Sequence, residues 1–115
     1  MTTFSFEVFP PRTDDGLDRL ATTAQRLAAI EPAFVSVTYG AGGGGRHRSF
    51  AAIDAVAASG VTIAAHLTCV GQPTDQVDTV LDRYQRLGVR HVVALRGDPP
   101  TGIDAPYAAH PDGYQ

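Results

Sequence analysis

Apolar positions along the chain follow two periodicities, one typical of β-strands and one typical of α-helices. Runs with every second residue apolar predict strands, and longer stretches with apolar residues three and four apart predict helices. The predicted strands cover residues 3–9, 34–39, 61–67 and 91–95, and the predicted helices cover residues 14–30, 47–59 and 74–87. This regular alternation of strand and helix predicts a parallel sheet with right-handed crossovers.

Cap residues mark the ends of the predicted helices. Asp14 and Asp15 are candidate N-caps of the first helix, and Thr74 is the candidate for the third. Gly60 and Gly88 are well placed to end the second and third helices in a left-handed conformation. The predicted inward faces contain Leu17, Leu20, Ala24 and Leu27 in the first helix, Phe50, Ile53, Val56 and Ala57 in the second, and Val77, Leu81, Tyr84 and Leu87 in the third.

Alternate residues of the predicted strands separate into a polar and an apolar face. The polar face contains Ser5, Glu7, Ser36, Thr38, Thr62, His66, Thr68, Arg96 and Asp98, and the apolar face contains Phe4, Phe6, Val35, Val37, Ile63, Val93 and Leu95. In a doubly wound sheet helices cover both faces, so central strands would be almost continuously apolar. One polar face fits the inside of a closed barrel, so the pattern predicts a parallel (βα)8 TIM barrel.

The chain length limits how much of such a barrel can be present. A (βα)8 barrel usually needs about 250 residues, whereas this chain has 115. We therefore expect residues 1–115 to form the N-terminal half of a single barrel domain and to supply its first four βα units. The chain is then a truncated piece or a half-barrel that needs a complement, with unpaired edges at its first and fourth strands.

Composition and charge exclude several classes of partner. The formal net charge of −3 supplies no net attraction to nucleic acid. No stretch approaches the roughly 20 apolar residues that a membrane span needs. The single cysteine, Cys69, has no partner for a disulfide, which favours a reducing, cytoplasmic location. The histidines lack metal-ligand spacing, so no metal site is predicted.

Polar residues collect where the predicted strands end. They are Glu7 in the first strand, Thr38 and Tyr39 in the second, His66 in the third, and Arg96, Gly97 and Asp98 just after the fourth. The carboxyl ends of barrel strands converge on one rim, where active sites lie in this fold. Glu7 has two interpretations: a buried ion pair with Arg12 or Arg96, or a carboxyl that apolar neighbours keep protonated so that it acts as a general acid.

The glycine-rich stretch at residues 40–45 fits a second fold as well. The letters GAGGGG satisfy the GxGxxG pattern of dinucleotide-binding folds, between a strand and a helix. That fold places an acidic residue at the end of the next strand, where this chain has His66. A flexible loop at the barrel rim is the favoured interpretation.

Four segments in this order carry a family resemblance: FSFEVFPPR, FVSVTYGAGG, AAHLTCVG and VALRGDPP. Together they resemble the strand ends of the methylenetetrahydrofolate reductase family, flavin-dependent (βα)8 barrel enzymes of one-carbon metabolism and methionine biosynthesis. The resemblance covers essentially the whole chain and matches the family's N-terminal half. It implies reduction of 5,10-methylenetetrahydrofolate to 5-methyltetrahydrofolate, with NADH or NADPH passing a hydride to FAD and the flavin passing it to the folate.

The resemblance also implies residue roles. Glu7 matches the glutamate that protonates the folate so that its five-membered ring opens. Asp98 matches the aspartate that lies beside the flavin's pyrimidine edge and binds the pterin. The positions that match FAD contacts are Thr38, Tyr39, His66, Leu95, Arg96, Gly97 and Asp98, and Tyr107 lies in the loop where flavin contacts continue.

Two departures accompany the resemblance. Many members read FEFFPPK where this chain reads FEVFPPR, so Val8 and Arg12 are substitutions. The family's second half supplies further contacts to FAD, folate and nicotinamide, and these residues are not in this sequence. The resemblance implies small-molecule substrates and a homo-oligomer or a complementing second half-barrel. The alternative is a non-catalytic half-barrel that self-assembles or binds FAD only in part.

Overall fold

The computed structural model describes residues 2–39, 45–99 and 101–114. The elements in this part of the chain are β1 (Phe6–Val8), α1 (Asp14–Ala28), β2 (Val35–Val37), α2 (Gly45–Ala57), β3 (Ile63–Thr68), α3 (Thr74–Arg86) and β4 (His91–Leu95). Every predicted strand and helix is found, although β1 and β2 are shorter than the alternating pattern suggested. The predicted glycine loop lies outside the described residues, except for Gly45 at the start of α2.

The four strands form one parallel sheet in the order β1-β2-β3-β4. Each neighbouring pair is joined by a helix, as in successive βα units of a barrel. The predicted fold class is therefore confirmed, because the chain has the architecture of the first βα units of a TIM barrel. The boundaries of a half-barrel domain over residues 1–115 stay a prediction.

The register of the strands corrects one part of the predicted faces. His66 pairs with Val93 and Thr68 pairs with Leu95, and paired residues of parallel strands point to the same side. Val93 and Leu95 therefore share the face of Glu7, and their predicted place on the apolar face was wrong. Alternation within one strand does not give its phase relative to the next strand, because the intervening turn sets that phase.

The core lies between the helices and the outer face of the sheet. Its buried residues include Val35, Val37, Ile63, Ala65 and Leu67 from the strands, Leu20 and Ala24 from α1, Ala52, Ile53 and Val56 from α2, and Val77, Val80 and Tyr84 from α3. By contrast, β4 is open on both sides, with Val92 43% exposed on the outer face and Leu95 44% exposed on the inner face. The core therefore supports β2 and β3 most firmly.

The predicted helix caps differ from those in the structure. Thr13 is the N-cap of α1: its backbone is extended, and its hydroxyl accepts a hydrogen bond of 3.0 Å from the Gly16 amide. Asp14 and Asp15 lie in the first turn instead, where negative charge interacts favourably with the helix dipole. Likewise Pro73, not Thr74, precedes α3, and it offers no side-chain cap.

The glycines predicted to end α2 and α3 adopt the expected conformation. Gly60 has a φ of +83° and Gly88 a φ of +81°. Both values lie in the left-handed region that favours glycine at the end of a helix. None of the helices in the described residues combines the length and the apolar character needed to cross a lipid bilayer.

The inward face of α3 differs from the prediction at one position, where Val80 takes the place of Leu81. Val80 is 2% exposed, whereas Leu81, which the spacing placed inside, is 37% exposed. Tyr84 and Val77 are buried as expected. The apolar residues of α3 include both neighbours, so spacing alone did not decide between them.

The burial of Val80 in place of Leu81 predicts different stabilities for substitutions at these two positions. Val80→Ala should lower the free energy of unfolding by about 2 kcal/mol, because it removes buried methyl groups and leaves a cavity. Leu81→Ala should cost less than about 1 kcal/mol, since its side chain is partly in water. Urea denaturation followed by circular dichroism measures both values. Equal losses, or a larger loss for Leu81→Ala, would contradict the packing described.

Candidate functional site

The carboxylate of Glu7 is bound by side chains from two other strands. Its Oε1 lies 3.0 Å from Nε2 of His66, and it accepts a hydrogen bond of 3.4 Å from the Ser36 hydroxyl. Ser36 lies opposite Glu7 in the parallel register, and Ala64 lies opposite Ser36, two residues before His66. The register of β1, β2 and β3 thus brings these three polar groups together on the inner face.

This arrangement corrects the partner predicted for Glu7. In the described part of the chain its ion-pair partner is His66, and not Arg12 or Arg96. The Glu7 side chain is 49% exposed and that of His66 is 15% exposed. The carboxyl is therefore half exposed, and its polar contacts are an imidazole and a hydroxyl. A carboxylate in this setting is open to a ligand.

A buried tyrosine holds the backbone at His66. The Tyr84 hydroxyl, from α3, donates a hydrogen bond of 2.7 Å to the His66 carbonyl oxygen. Burial raises the pKa of the Tyr84 phenol well above its ordinary value, so the hydroxyl stays neutral and able to donate. The Phe50 ring packs edge-on against the Tyr84 ring, with centroids 5.9 Å apart. The inner-face position of His66 therefore depends on packing behind the sheet.

A cavity of about 500 Å³ opens at the carboxyl ends of β3 and β4. It is lined by Tyr39, Thr68, Val70, Leu95, Arg96, Gly97 and Asp98. Four of these residues are ones that the sequence placed at the rim, namely Tyr39, Arg96, Gly97 and Asp98, and the family resemblance added Leu95. Burial raises the pKa of the Tyr39 phenol, which keeps its hydroxyl neutral at the cavity wall.

The other predicted site residues lie beside this cavity. Thr38 lines an adjoining hollow of about 310 Å³ together with Tyr39 and Arg12. His66 precedes Thr68 by two residues on the same face of β3, so it connects the Glu7 carboxylate with the cavity wall. The site therefore has two parts, an acid bound to an imidazole and a ligand-sized cavity, joined along the inner face of β3.

Sequence reasoning did not assign Ser36, Thr68 or Val70 to the site. Ser36 and Thr68 carried a usable signal, because both share the strand parity of Glu7 and His66. Val70 follows the end of β3 and is positioned by backbone contact, since its amide donates a hydrogen bond of 3.0 Å to the Arg96 carbonyl oxygen. No strand periodicity extends to that position.

Arg96 and Gly97 form the part of the rim that follows β4. The Arg96 guanidinium lies over the Tyr107 ring, 4.2 Å from its centroid, so Tyr107 supports Arg96 and does not line the cavity. Gly97 has a φ of +89°, and a Cβ built there would lie 2.5 Å from Cγ1 of Val70 and 2.9 Å from Cβ of Thr68. The chain after β4 can approach β3 this closely because residue 97 has no side chain.

A larger hollow lies away from these residues. It measures about 690 Å³ and is lined by helical residues of α2 and α3, including Asp54 and Arg83, together with Leu87. It contains none of the predicted strand-end residues, so we place the functional site at the smaller cavity. Among the described residues, no cluster of three or more histidine, cysteine or acidic side chains could hold a metal ion.

Parallel βα units with polar side chains at the carboxyl ends of their strands give this chain the architecture of the first units of a TIM barrel. A family model described as methylenetetrahydrofolate reductase matches residues 1–115, and the chain belongs to that family. Among curated relatives, the 5,10-methylenetetrahydrofolate reductase of Salmonella typhimurium is 44% identical over 108 residues, which cover 91% of this chain and 36% of that protein.

Two further relatives show the breadth of the similarity. The 5,10-methylenetetrahydrofolate reductase of Escherichia coli is 44% identical over 103 residues, covering 89% of this chain and 35% of that protein. Methylenetetrahydrofolate reductase (NADH) 1 of Arabidopsis thaliana is 40% identical over 109 residues, covering 90% of this chain and 18% of that protein. The chain thus spans about a third of the length of these bacterial relatives.

The close approach at Gly97 predicts the effect of adding one methyl group. Gly97→Ala should destabilise the chain by about 1–3 kcal/mol more than Gly88→Ala, because only the first methyl group meets neighbouring side chains. Gly88 is a matched control, since its φ of +81° is similar and no atom lies within 4 Å of a Cβ there. Thermal and urea denaturation of both variants provide the comparison. Equal destabilisation would show that backbone conformation, and not contact with β3, requires glycine at position 97.

Proposed function

We propose that this chain carries the proton-donating and flavin-contacting part of a reductase that converts 5,10-methylenetetrahydrofolate to 5-methyltetrahydrofolate with NADH or NADPH. The observation that supports this most is the Glu7 carboxylate, paired with His66 at 3.0 Å on the face that leads to the cavity beside Asp98. Family membership supports this reaction, and the site contains groups suited to it. The name of the Arabidopsis relative specifies NADH as its nucleotide.

The cavity suits a planar ring system such as the isoalloxazine of FAD. Its volume of about 500 Å³ falls within the range of small-molecule sites. Leu95 and Val70 offer apolar contact, the Tyr39 ring offers an aromatic wall, and Asp98 places a carboxylate at one side. When bound, FAD would carry the hydride between nicotinamide and folate. The role of Asp98 in this proposal is to disfavour extra negative charge in the cavity and to accept hydrogen bonds from the pterin.

Glu7 is the proton donor in this proposal. Its carboxyl proton goes to one of the two folate nitrogens that hold the methylene carbon, and the bond between that nitrogen and the carbon breaks. The carbon then accepts the hydride and becomes the methyl group, so one proton and one hydride are consumed in each turnover. Glu7 is left as a carboxylate, which accepts a hydrogen bond from the Ser36 hydroxyl and lies within hydrogen-bond reach of His66 Nε2 at 3.0 Å.

Glu7→Gln tests this role, because glutamine keeps the shape of the side chain and cannot donate an acidic proton. The substitution is made in the natural protein that contains this sequence. Its rate of folate reduction should fall at least about a hundredfold. Reduction of bound flavin by the nicotinamide should be unchanged. Stopped-flow absorbance of the flavin measures the two half-reactions separately.

Glu31→Gln is the matched control, since Glu31 is the other glutamate of the chain and is exposed after α1. It should leave both half-reactions unchanged. Equal loss of both half-reactions in Glu7→Gln would remove Glu7 from the proton-donor role. Absence of FAD binding and of folate-dependent nicotinamide oxidation in the unsubstituted protein would contradict the proposed function as a whole.

A second candidate is a half-barrel that assembles with another half. It is favoured by the exposure of apolar residues at both sheet edges, Phe4 at 44% beside β1 and Val92 at 43% in β4. Sedimentation of the 12.1 kDa chain should then give a dimer whose mass is independent of FAD. A monomer that binds FAD would contradict this candidate.

A cytoplasmic location also stays a prediction, supported by the free thiol of Cys69.

A further inference from the structure

Tyr39, which forms one wall of the cavity, is held by a residue that lies behind it. The Tyr39 hydroxyl lies 3.0 Å from Oε1 of Gln72, and Nε2 of Gln72 donates a hydrogen bond of 2.6 Å to the Thr68 carbonyl oxygen. A carbonyl oxygen can only accept, so the amide nitrogen of Gln72 must face Thr68. The amide oxygen must then face Tyr39, which makes the tyrosine hydroxyl the donor.

Gln72 is itself firmly placed. It is 3% exposed, in the turn between β3 and α3. Its backbone amide donates a hydrogen bond of 3.2 Å to the Cys69 carbonyl oxygen. The segment near the C-terminus closes the space beside it, because a Cβ built at Gly113 would lie 2.8 Å from the Gln72 carbonyl oxygen. Both polar atoms of the Gln72 amide therefore have partners, and its backbone has little room to move.

We propose that Gln72 is a positioning residue that sets the orientation of the Tyr39 ring at the cavity and thereby the affinity of the cavity for its ligand. Gln72 does not line the cavity; it contacts Tyr39 through the tyrosine hydroxyl, and its bond to the Thr68 carbonyl oxygen fixes the orientation of the amide. The identity of the ligand as FAD rests on the proposed function, whereas the positioning of Tyr39 does not depend on it. The experiment therefore has one arm without a ligand and one arm with FAD.

The first arm measures Tyr39 in the free chain. The chain has four tyrosines, and labelling them with 13C at Cζ gives one resonance each, with Tyr39 assigned by its loss in Tyr39→Phe. Gln72→Met keeps the length of the side chain and removes both hydrogen bonds, so it should shift the Tyr39 resonance. Gln85→Met, at an exposed position of α3, is the matched control and should not. An unchanged Tyr39 resonance in Gln72→Met overturns the proposal.

The second arm measures FAD binding by titration of flavin absorbance and fluorescence. Gln72→Met and Tyr39→Phe should each weaken binding about fivefold to tenfold, as expected for loss of one buried hydrogen bond. Gln85→Met should bind like the unsubstituted chain. In the Tyr39→Phe background Gln72→Met should add little further loss, because the two residues act through the same bond.

The outcomes of the two arms separate two failures. Full additivity of the two substitutions, or normal FAD affinity in Tyr39→Phe, overturns the positioning role even if Gln72→Met folds poorly, since Tyr39→Phe removes a single oxygen. If the unsubstituted chain binds no FAD, the proposed function fails in its cofactor. The Tyr39 resonance then decides the positioning role: a shift in Gln72→Met alone supports it, and no shift overturns it.

Discussion

The parallel register of β1, β2 and β3 is the constraint on which the site depends. It sets Glu7 beside Ser36, and Ser36 beside Ala64, so that a carboxylate and an imidazole from strands that are not neighbours meet at 3.0 Å. A slip of one residue would turn the Glu7 side chain to the helix-covered face, where a carboxylate would be buried without a partner. The same register therefore serves the packing of the core and the geometry of the candidate acid.

The surroundings of Glu7 change how its chemistry is understood. An acid in an apolar pocket keeps its proton because the charged form is poorly solvated. Here the carboxylate is half exposed and contacts an imidazole and a hydroxyl. The contact with His66 at 3.0 Å makes the position of the carboxylate depend on a neighbour that the packing of α3 holds in place. Tyr84 provides that link, since its buried hydroxyl binds the His66 backbone.

The region between β3 and α3 organises the cavity from behind. Gln72 joins Tyr39 to Thr68 through one amide, and Gly97 lets the chain after β4 approach the same residues closely. The segment around Asp112 also contacts this region, because the Thr74 amide donates a hydrogen bond of 2.9 Å to the Asp112 carbonyl oxygen. The walls of the cavity are thus positioned in part by Gln72, a residue that does not line the cavity itself.

The sequence by itself determined the alternation of strands and helices, the parallel sheet, and the collection of polar residues at the strand ends, because periodicity and cap glycines are local properties of the chain. It also placed Tyr39, Arg96 and Asp98 at the rim correctly. Tertiary structure decided the partner of Glu7, the face of Leu95, the burial of Val80 in place of Leu81, and the role open to Gln72. Each of these features depends on strand register or on packing between distant segments. The spacing of residues along one strand or helix determines neither of them.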